Sequence, residues 1–581
     1  MPPPPAAGAL PGCTLDLHFM TRHSSLICGE PLAAPTYFDL MAPPGVTVED
    51  LSNYVLRGAR EGFKHNLASD FTGFHYKPNY KSARDDAERI STAIRKRLAA
   101  GKTRGPFPWD QELPFGMDTL CVNPMGSVPY KHEPHRSRPI DDPAVNAVID
   151  PPPFKMCTWD LVRTFSTPGC WYGLQDVESA FVCLPIHYDM WKYFAVAWSD
   201  VTVDHPSASS LRSKAQQFLY FHTHGLFGSR DMPFIFTMYM LFVTMVATAL
   251  GIGLAPPYLD DIPHVYDRRS EVEWAMERYS DLLAAMGSPE KASKRVPAFQ
   301  KGDILGRGLN SRTFTMAVPS DKMDRFMSRL RRCFSPGPKS GRVPCSELSS
   351  LIGEAAFLAT VLPTVFSNVM APIMDLARAG PSVGRLTKPS RANWTIKLTG
   401  AARYAGREMH QLFPYFNRTV SINTTLSHPW ASPVYTDSSG GSEAGWGYAS
   451  KHSFRAGSFT CAQKQACIAY LELLAVEYAV EEHAILWSGH RVPIYIDNTV
   501  VVSWSTYGRV RSCSTRDGLR RRADAALRRV FGMALSYGFE LRPIYIKSEE
   551  NVMADALSRR DWRRFYDAYL VHDWGADIPI N

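Results

Sequence analysis

Two adjacent carboxylates, Asp260 and Asp261, close the stretch Pro256-Pro257-Tyr258-Leu259-Asp260-Asp261, after a long apolar segment and before a short β-prone run. If the flanks pair as a hairpin, both acids lie at or beside the turn, where they can hold a divalent cation. Mg²⁺ suits so sparse a ligand set, with substrate phosphates and water supplying the rest. An acidic pair in a surface turn is commonplace, so its weight comes from its surroundings. Asp176 ends a strand-like piece 84 residues upstream. Three carboxylates brought together would bind two Mg²⁺ ions, one activating an attacking 3′-hydroxyl and the other holding nucleotide phosphates. Between them runs His224 to Thr237, in which Gly228 would let the backbone approach a ribose or base pair closely. Further on come Asp437, Glu472, Asp497 and Asp555, at spacings of 35, 25 and 58 residues. Four such acids suit a two-metal hydrolysis, although each alone is as readily a surface residue.

The elements that must position these acids are legible in outline. Trp171 to Asp176 reads as a strand and turn, followed by a helix-like stretch and a second strand at Tyr193 to Trp198. Val272, Met276, Tyr279, Leu283 and Met286 mark one face of an amphipathic helix stopped by Gly287-Ser288-Pro289. Val48 to Leu98 carries helical patterns, whereas Gly105 to Pro153 is proline-rich with short strand-like pieces such as Thr119 to Val122. Its polar loop (Lys131, His132, His135, Arg136, Arg138) is either solvated surface or a phosphate-gripping loop. Ser320 to Ala379 is helical around the linker Ser335-Pro336-Gly337-Pro338, and Arg325, Arg329, Arg331 and Arg332 line either solvent or a nucleic-acid backbone. From Val434 the order is three strands, a helix around Leu471 to Tyr478, a strand at Pro493 to Ile496, then helices: a compact α/β unit.

At 581 residues, three or four domains are expected. Hydrophobic residues at 45% and charged ones at 21% are ordinary for a soluble globular protein, and a net charge of +8 suits a polyanionic partner without demanding one. Eleven cysteines without a C-x-x-C pair give no zinc site or disulfide framework and fit a reducing, intracellular setting. No signal peptide is visible. Met232 to Ala255 is apolar enough for a membrane helix, but its Pro233, Thr237, Thr244, Thr248, Gly251 and Gly253 favour a buried core helix, with no membrane partner.

Asp176-Val177-Glu178-Ser179-Ala180-Phe181, then Phe227-Gly228 with Pro233 and Phe236-Thr237, then Tyr258-Leu259-Asp260-Asp261 resembles a reverse transcriptase palm. Gly287-Ser288-Pro289-Glu290-Lys291 and Ile304-Leu305-Gly306 resemble the later palm turn and the primer-gripping hairpin. Leu56 to Phe63 and Lys102 to Phe107 resemble the fingers of the tyrosine-recombinase (DIRS-like) retrotransposons, so the resemblance spans roughly residues 50 to 320. It implies that Asp176, Asp260 and Asp261 are metal ligands and that Arg138, Phe181, Gly228 and Lys291 handle the nucleotide. Arg138 would contact the triphosphate, Phe181 would exclude a 2′-hydroxyl, and Lys291 would protonate the pyrophosphate leaving group. Simple core packing explains the spacing of Phe181 equally well.

Tyr435 to Ser439, Leu471 to Ala475, Ile496-Asp497-Asn498 and Asn551 to Arg559 resemble retroelement RNase H, which implies metal ligation and catalysis by Asp437, Glu472, Asp497 and Asp555. Arg520-Arg521-Arg522 and Arg528-Arg529 would then help hold the hybrid, or simply form a solvated helix face. The implied fold is a multidomain α/β (α+β) right hand. It would comprise a flexible tail (1–45), fingers (46–155), palm (156–319), thumb or connection (320–430), an RNase H-like α/β domain (431–560) and a C-terminal tail (561–581). The implied partners are an RNA template, a DNA primer, the RNA–DNA hybrid and deoxynucleoside triphosphates. Two Mg²⁺ per active site are implied, with Mn²⁺ an alternative, in a cytoplasmic or nuclear protein. Three features depart from the family: Pro263 in the strand after the acidic pair, Tyr545 in place of a histidine that assists turnover, and a shortened loop from Arg138 to Asn146. The rival readings are a non-catalytic nucleic-acid-binding scaffold and a nuclease whose polymerase half is silent.

Overall fold

The computed structural model describes residues 12–28, 38, 41–109, 119–129, 137–156, 159–199, 217–253, 255–334, 342–359, 373, 395–412, 419–422, 430–507, 510, 517–537 and 539–574. The loop residues Lys131, His132, His135 and Arg136 and the linker 335–338 lie outside them. The chain is mixed helix and sheet and divides into two compact units, Met1–Leu305 and Gly306–Asn581.

Three β layers organise the first unit. A five-stranded sheet runs in the order β1 (His75–Tyr76), β3 (Cys121–Asn123), β7 (Ala195–Ser199), β8 (Gln217–His222), β2 (Thr103–Phe107). Beside it β4 (Met125–Pro129) and β5 (Ser137–Asp141) form an antiparallel pair. A three-stranded antiparallel sheet places β6 (Trp171–Asp176) between β9 (Asp261–Tyr266) and β10 (Val296–Phe299). Pro263 faces Leu174 on β9, an edge strand of this sheet, where proline's missing N–H is tolerated. Strand β11 (Lys301–Ile304) follows.

The helices of this unit are α1 (Leu17–Cys28), α2 (Val48–Glu61), α3 (Ala87–Ala99), α4 (Met232–Ala249) and α5 (Arg269–Ala285). A capping box opens α2: Asp50 N donates to Thr47 Oγ1 at 3.1 Å, and Thr47 N donates to Asp50 Oδ2 at 3.0 Å. Helix α4 is long and apolar enough to cross a membrane by length and composition, yet 78% of it is buried within its own unit. Its polar groups are satisfied there, Thr244 Oγ1 by Met240 O at 2.9 Å and Tyr239 OH by Ser288 Oγ at 2.6 Å. Pro233 sits in its first turn, where the missing N–H costs nothing. As its pattern predicts, α5 buries Val272, Met276, Tyr279 and Leu283 and stops before Gly287, whose φ is +81°.

Two expectations fail in this unit. The stretch after Asp176 is not a helix but two 3-10 turns, Ala180–Cys183 and Tyr188–Tyr193, because Ser179 takes a left-handed φ of 59° and Pro185 lies between them. Part of the segment expected to be a flexible tail is instead the helix α1, Leu17–Cys28. Met20 and Ile27 of α1 are buried in the same core as Leu51 and Val55 of α2, which offsets the ordering entropy that a proline-rich tail would not recover. Thr14 Oγ1 donates to Gly287 O at 2.6 Å and Asp16 N to Met286 O at 3.2 Å, fastening the segment behind α5.

The second unit begins with β12 (Arg307–Asn310), which pairs with β13 (Thr315–Ala317), itself paired with β16 (Thr419–Ser421). Strands β14 (Arg342–Pro344) and β15 (Thr395–Lys397) form a separate pair. Helices α6 (Ser320–Phe334), α7 (Cys345–Ala359) and α8 (Gly400–Leu412) accompany them. The arginines of α6 are engaged within the unit. Arg329 bridges Glu347 and Glu354, Arg332 reaches Glu347, and Arg325 pairs with Asp321.

A five-stranded sheet then runs β19 (Phe454–Ser458), β18 (Gly445–Ser450), β17 (Val434–Ser438), β20 (Arg491–Ile496), β21 (Glu540–Tyr545). The alternation of β17 divides its two faces. Val434 packs with α9 (Ile468–His483), α10 (Thr499–Tyr507) and α11 (Asp517–Tyr537), while Tyr435 packs with α12 (Val552–Ser558) and α13 (Trp562–Tyr569). Strand β21, parallel to β20, has no place in the expected order of three strands, helix, strand and helices; Pro543 hides it from a propensity reading, and at the sheet edge proline is accommodated. The expected C-terminal tail is likewise structured through α13. Its Phe565 is fully buried, 4.6 Å from the Phe454 ring.

Candidate active sites: two carboxylate clusters

The first cluster is assembled by register. Asp176 and Asp261 are directly opposed across β6 and β9, a placement that sets Cβ atoms about 5 Å apart. Asp260 precedes Asp261 in a tight turn closed by Tyr258 N to Asp261 O (2.8 Å) and Asp261 N to Tyr258 O (3.1 Å). The expected hairpin is therefore present only as this single bridge, and the true partner of β9 is β6. Leu259 takes φ of +53° in the turn, a strained state for a branched residue and one that recurs at functional sites. Val177 N donates to Asp260 O at 3.0 Å and Lys291 N to Asp176 O at 2.7 Å, so the three acids and the 289–291 segment share one backbone frame.

Behind that frame lies a buried polar support. Gln175 Nε2 donates to Met276 O of α5 (2.9 Å) and to Glu290 Oε2 (2.7 Å), while Gln175 Oε1 accepts from His264 Nε2 (2.7 Å). Arg295 clamps Glu290 with two bonds, of 2.8 and 2.5 Å. Burial, then the charge of Asp176, raises the Asp260 carboxyl. Burial, then the charges of Asp260 and Asp176, pushes Asp261 up to about 6. A residue missed from the sequence supplies the counter-charge: Lys294 Nζ lies 2.5 Å from Asp176 Oδ2. Its signal was present, three residues beyond Lys291 on one turn of 3-10 helix, Ala292–Lys294.

The other nucleotide-handling candidates fall around this cluster. Phe181 is buried in the core, with ring centroids 5.1 Å from Phe227 and 5.5 Å from Phe236. The side of Gly228 where a Cβ would project meets Asp141 O at 2.7 Å, so this glycine is required by the protein's own backbone rather than by a ligand. Arg138 is exposed on β5, opposite Val128. Lys291 contributes a backbone amide to Asp176.

The second cluster is tighter. Asp437 follows Thr436 on β17, which pairs in parallel with Ile496, so Asp437 and Asp497 emerge side by side at the ends of adjacent strands. Glu472 on α9 projects onto them, because α9 packs across β17 and β18. Ligand atoms of Asp437, Glu472 and Asp497 lie within 4.8 Å of one another; among the described residues no other group of three His, Cys, Asp or Glu converges this closely, the first cluster included. Ser558 Oγ donates to Asp437 Oδ2 at 2.5 Å and Ser548 Oγ to Asp497 Oδ2 at 2.7 Å. Burial pushes Asp437 up to about 7 against the Ser558 bond, with the charges of Asp497 and Asp555 adding to the rise. Burial and then the charges of Asp437 and Asp497 raise Glu472 well above the usual carboxylate range. Glu472 Oε2 is buried with no hydrogen-bond partner among the described residues. A buried orphan oxygen among like charges fits a divalent cation, which would repay the desolvation and cancel the repulsion.

The fourth acid stands apart. Asp555 on α12 pairs with Arg559 and Arg564. Tyr545, at the end of β21 opposite Ile496, is half exposed one residue from Asp497. Arg529 is engaged by Glu477 of α9, so it ties two helices together.

No protein-family model and no curated protein matches the sequence. Among solved structures, the chain is similar to a foamy viral protease-reverse transcriptase in complex with RNA/DNA hybrid, at 15% identity and a TM-score of 0.46, over 91% of this chain and 63% of that one. The same viral protein with dsDNA aligns at 16% identity and a TM-score of 0.45, over 84% and 88% of the two chains. Superposition at this level is partial, and the chemistry of both clusters stands on the carboxylates themselves.

Proposed function

We propose that this chain is a retrotransposon-type reverse transcriptase with an RNase H domain, of a kind resembling the DIRS-like elements. It copies RNA and then DNA into DNA from deoxynucleoside triphosphates and degrades RNA in the resulting hybrid. The observation that carries the reading is the presence of two carboxylate clusters in one chain, each at the strand ends of its own sheet. In the right-hand arrangement, residues 46–155 act as fingers, 156–319 as palm and 320–430 as thumb or connection. Residues 431 onward act as RNase H, extended to include α13.

Asp176, Asp260 and Asp261 would hold two Mg²⁺ ions for nucleotidyl transfer, and Asp437, Glu472, Asp497 and Asp555 two more for hydrolysis, with Mn²⁺ an alternative in both. Such ions lower the pKa of the attacking hydroxyl or water and neutralise charge on the phosphate under attack. The protein's own part is to fix the carboxylates by strand register and to hold the pKa values of Asp260, Asp261, Asp437 and Glu472 high until a cation arrives. In the palm, Lys294 balances Asp176, and the Gln175–His264–Glu290 support keeps β6 in register. Phe181 would set sugar choice from beneath the nucleotide, backed by Phe227 and Phe236. Arg138 and Lys291 would meet the triphosphate.

A second reading, a nuclease with a silent polymerase half, is favoured by one contrast. The hydrolytic triad is converged, whereas the palm acids are more widely spaced and one is held by a lysine. Primer extension and hybrid cleavage assayed side by side separate the two. Extension with cleavage supports the full enzyme, and cleavage alone supports the nuclease.

A further inference from the structure

The fourth acid, Asp555, is not among the three whose ligand atoms all lie within 4.8 Å of one another. Asp555 gives both carboxylate oxygens to arginines: Arg559 Nε donates to Oδ1 at 2.7 Å and Arg564 Nη1 to Oδ2 at 2.6 Å. The carboxylate is 18% exposed, whereas the Arg559 and Arg564 side chains are 61% and 45% exposed. Each guanidinium thus spends one or two of its five donors on Asp555 and turns the rest to solvent. Both belong to the run Arg559-Arg560-Asp561-Trp562-Arg563-Arg564, four arginines around a half-exposed Trp562, with a half-exposed Tyr566 one turn on.

This surface is rigidly mounted. Asp561 caps α13 by accepting from Arg564 N at 3.1 Å, Arg560 Nη2 donates to Ser458 Oγ, and Phe565 packs into the core beneath. Helix α12 is tied to the catalytic strand by Asn551 Nδ2 to Thr436 O (2.9 Å) and by the bond from Ser558 to Asp437. Asp555 therefore stands beside the triad on a fixed helix, and only its ion pairs need to change. Ion pairs of half-exposed arginines are individually weak, and two oxygens of a tetrahedral phosphate can accept from the planar fork of a guanidinium as a carboxylate does. Exposed aromatic rings among arginines add a stacking surface suited to a nucleic-acid strand.

We propose that Arg559 and Arg564 are a substrate-sensing latch. They hold Asp555 off the triad in the free protein, pass to the phosphodiester backbone of a bound RNA–DNA hybrid, and so release Asp555 to complete the four-carboxylate site. The proposal rests on the hydrolytic reading of this cluster and adds what controls its assembly. A full cation site would then form only where a strand is in place to be cut.

The test is calorimetric titration of Mn²⁺ into the full chain without nucleic acid, for wild type, Arg559→Gln/Arg564→Gln, and that double variant with Asp555→Asn added. The palm contribution is common to all three and cancels. The latch predicts that the double variant binds the cation on the order of tenfold more tightly, and that Asp555→Asn abolishes the gain. In parallel, hybrid binding by the double variant measured across salt should lose about two units of slope in log K against log salt. Unchanged Mn²⁺ affinity, or an unchanged salt slope, overturns the latch while leaving a metal site that Asp437→Asn still weakens. Wild-type binding that Asp437→Asn does not alter overturns the hydrolytic reading and the latch together.

Discussion

On the proposed reading Asp260 and Glu472 serve different reactions, and their substitutions should separate them. Asp260→Asn should lower primer extension at least about a hundredfold and leave hybrid cleavage intact, because a metal carboxylate is lost from one cluster only. Glu472→Gln should do the reverse, and equal loss of both activities in either variant would mean the clusters are not independent. Phe181 has a proposed role in sugar choice and an observed one in core packing. Phe181→Ala should admit ribonucleotides and also cost about 3 kcal/mol of stability, since the ring is buried between Phe227 and Phe236. Thermal unfolding checks the second role, and a variant of unchanged stability would contradict the packing described. That Asp176 would come to face Asp261, and that Asp437, Glu472 and Asp497 would converge, was legible from acids and neighbouring aromatics recurring in one order along the chain. Their counter-charges were not. Lys294, Arg559 and Arg564 are ordinary surface residues by type, and the turn of 3-10 helix, the C-terminal end of α12 and the first turn of α13 bring them onto a carboxylate.

At the scale of elements, the strands beside the acids are legible in outline: β6 ends on Asp176, β9 begins on Asp261, and Asp437 and Asp497 lie at the C-terminal ends of β17 and β20. Pro263 departs from the family pattern, and a proline costs a ladder bond unless its strand is an edge or bulged; on the edge strand β9 its missing N–H removes no bond that the sheet requires. Helix α1, strand β21 and helix α13 were missed for a shared reason. Each sits in a stretch whose composition, rich in proline or arginine, outweighs a few apolar residues that matter only once a neighbouring surface exists to bury them. The docking of α1 gives an element-scale prediction. A Cβ at Gly287 would lie 1.6 Å from Thr14 O, and its φ is +81°, so Gly287→Ala should cost about 2 kcal/mol or more. Limited proteolysis should then cut within residues 12–28. An unaltered cleavage pattern would show that this contact does not hold the segment.

Across the whole molecule the two units should respond to pH in opposite senses. Burial holds His222 below its usual range and pushes His224 and His264 down to about 3, all within the first unit. Unfolded, these histidines take up protons near pH 6.5, so the first unit loses stability as pH falls from about 6.5 toward 3. Asp437, at about 7, and Glu472, held well above the usual carboxylate range, are raised above unfolded values near 4. Their contribution to the metal-free second unit is fully present below about pH 4 and is lost as pH rises through about 7. Hydrogen exchange in a chelator at pH 5 and 7.5 should show opposite trends in peptides from the two units, and parallel trends would contradict the assignment. Because cations displace those protons, stabilisation by Mg²⁺ should grow over the same rise in pH.

The most direct test of the central claim is extension of a DNA primer on an RNA template with Mg²⁺ and deoxynucleotides, wild type beside Asp260→Asn. Extension by wild type alone is the predicted result and fixes the polymerase site on β6 and β9. Absence of extension by a folded wild-type protein that still binds the hybrid, or extension undiminished in Asp260→Asn, would contradict it.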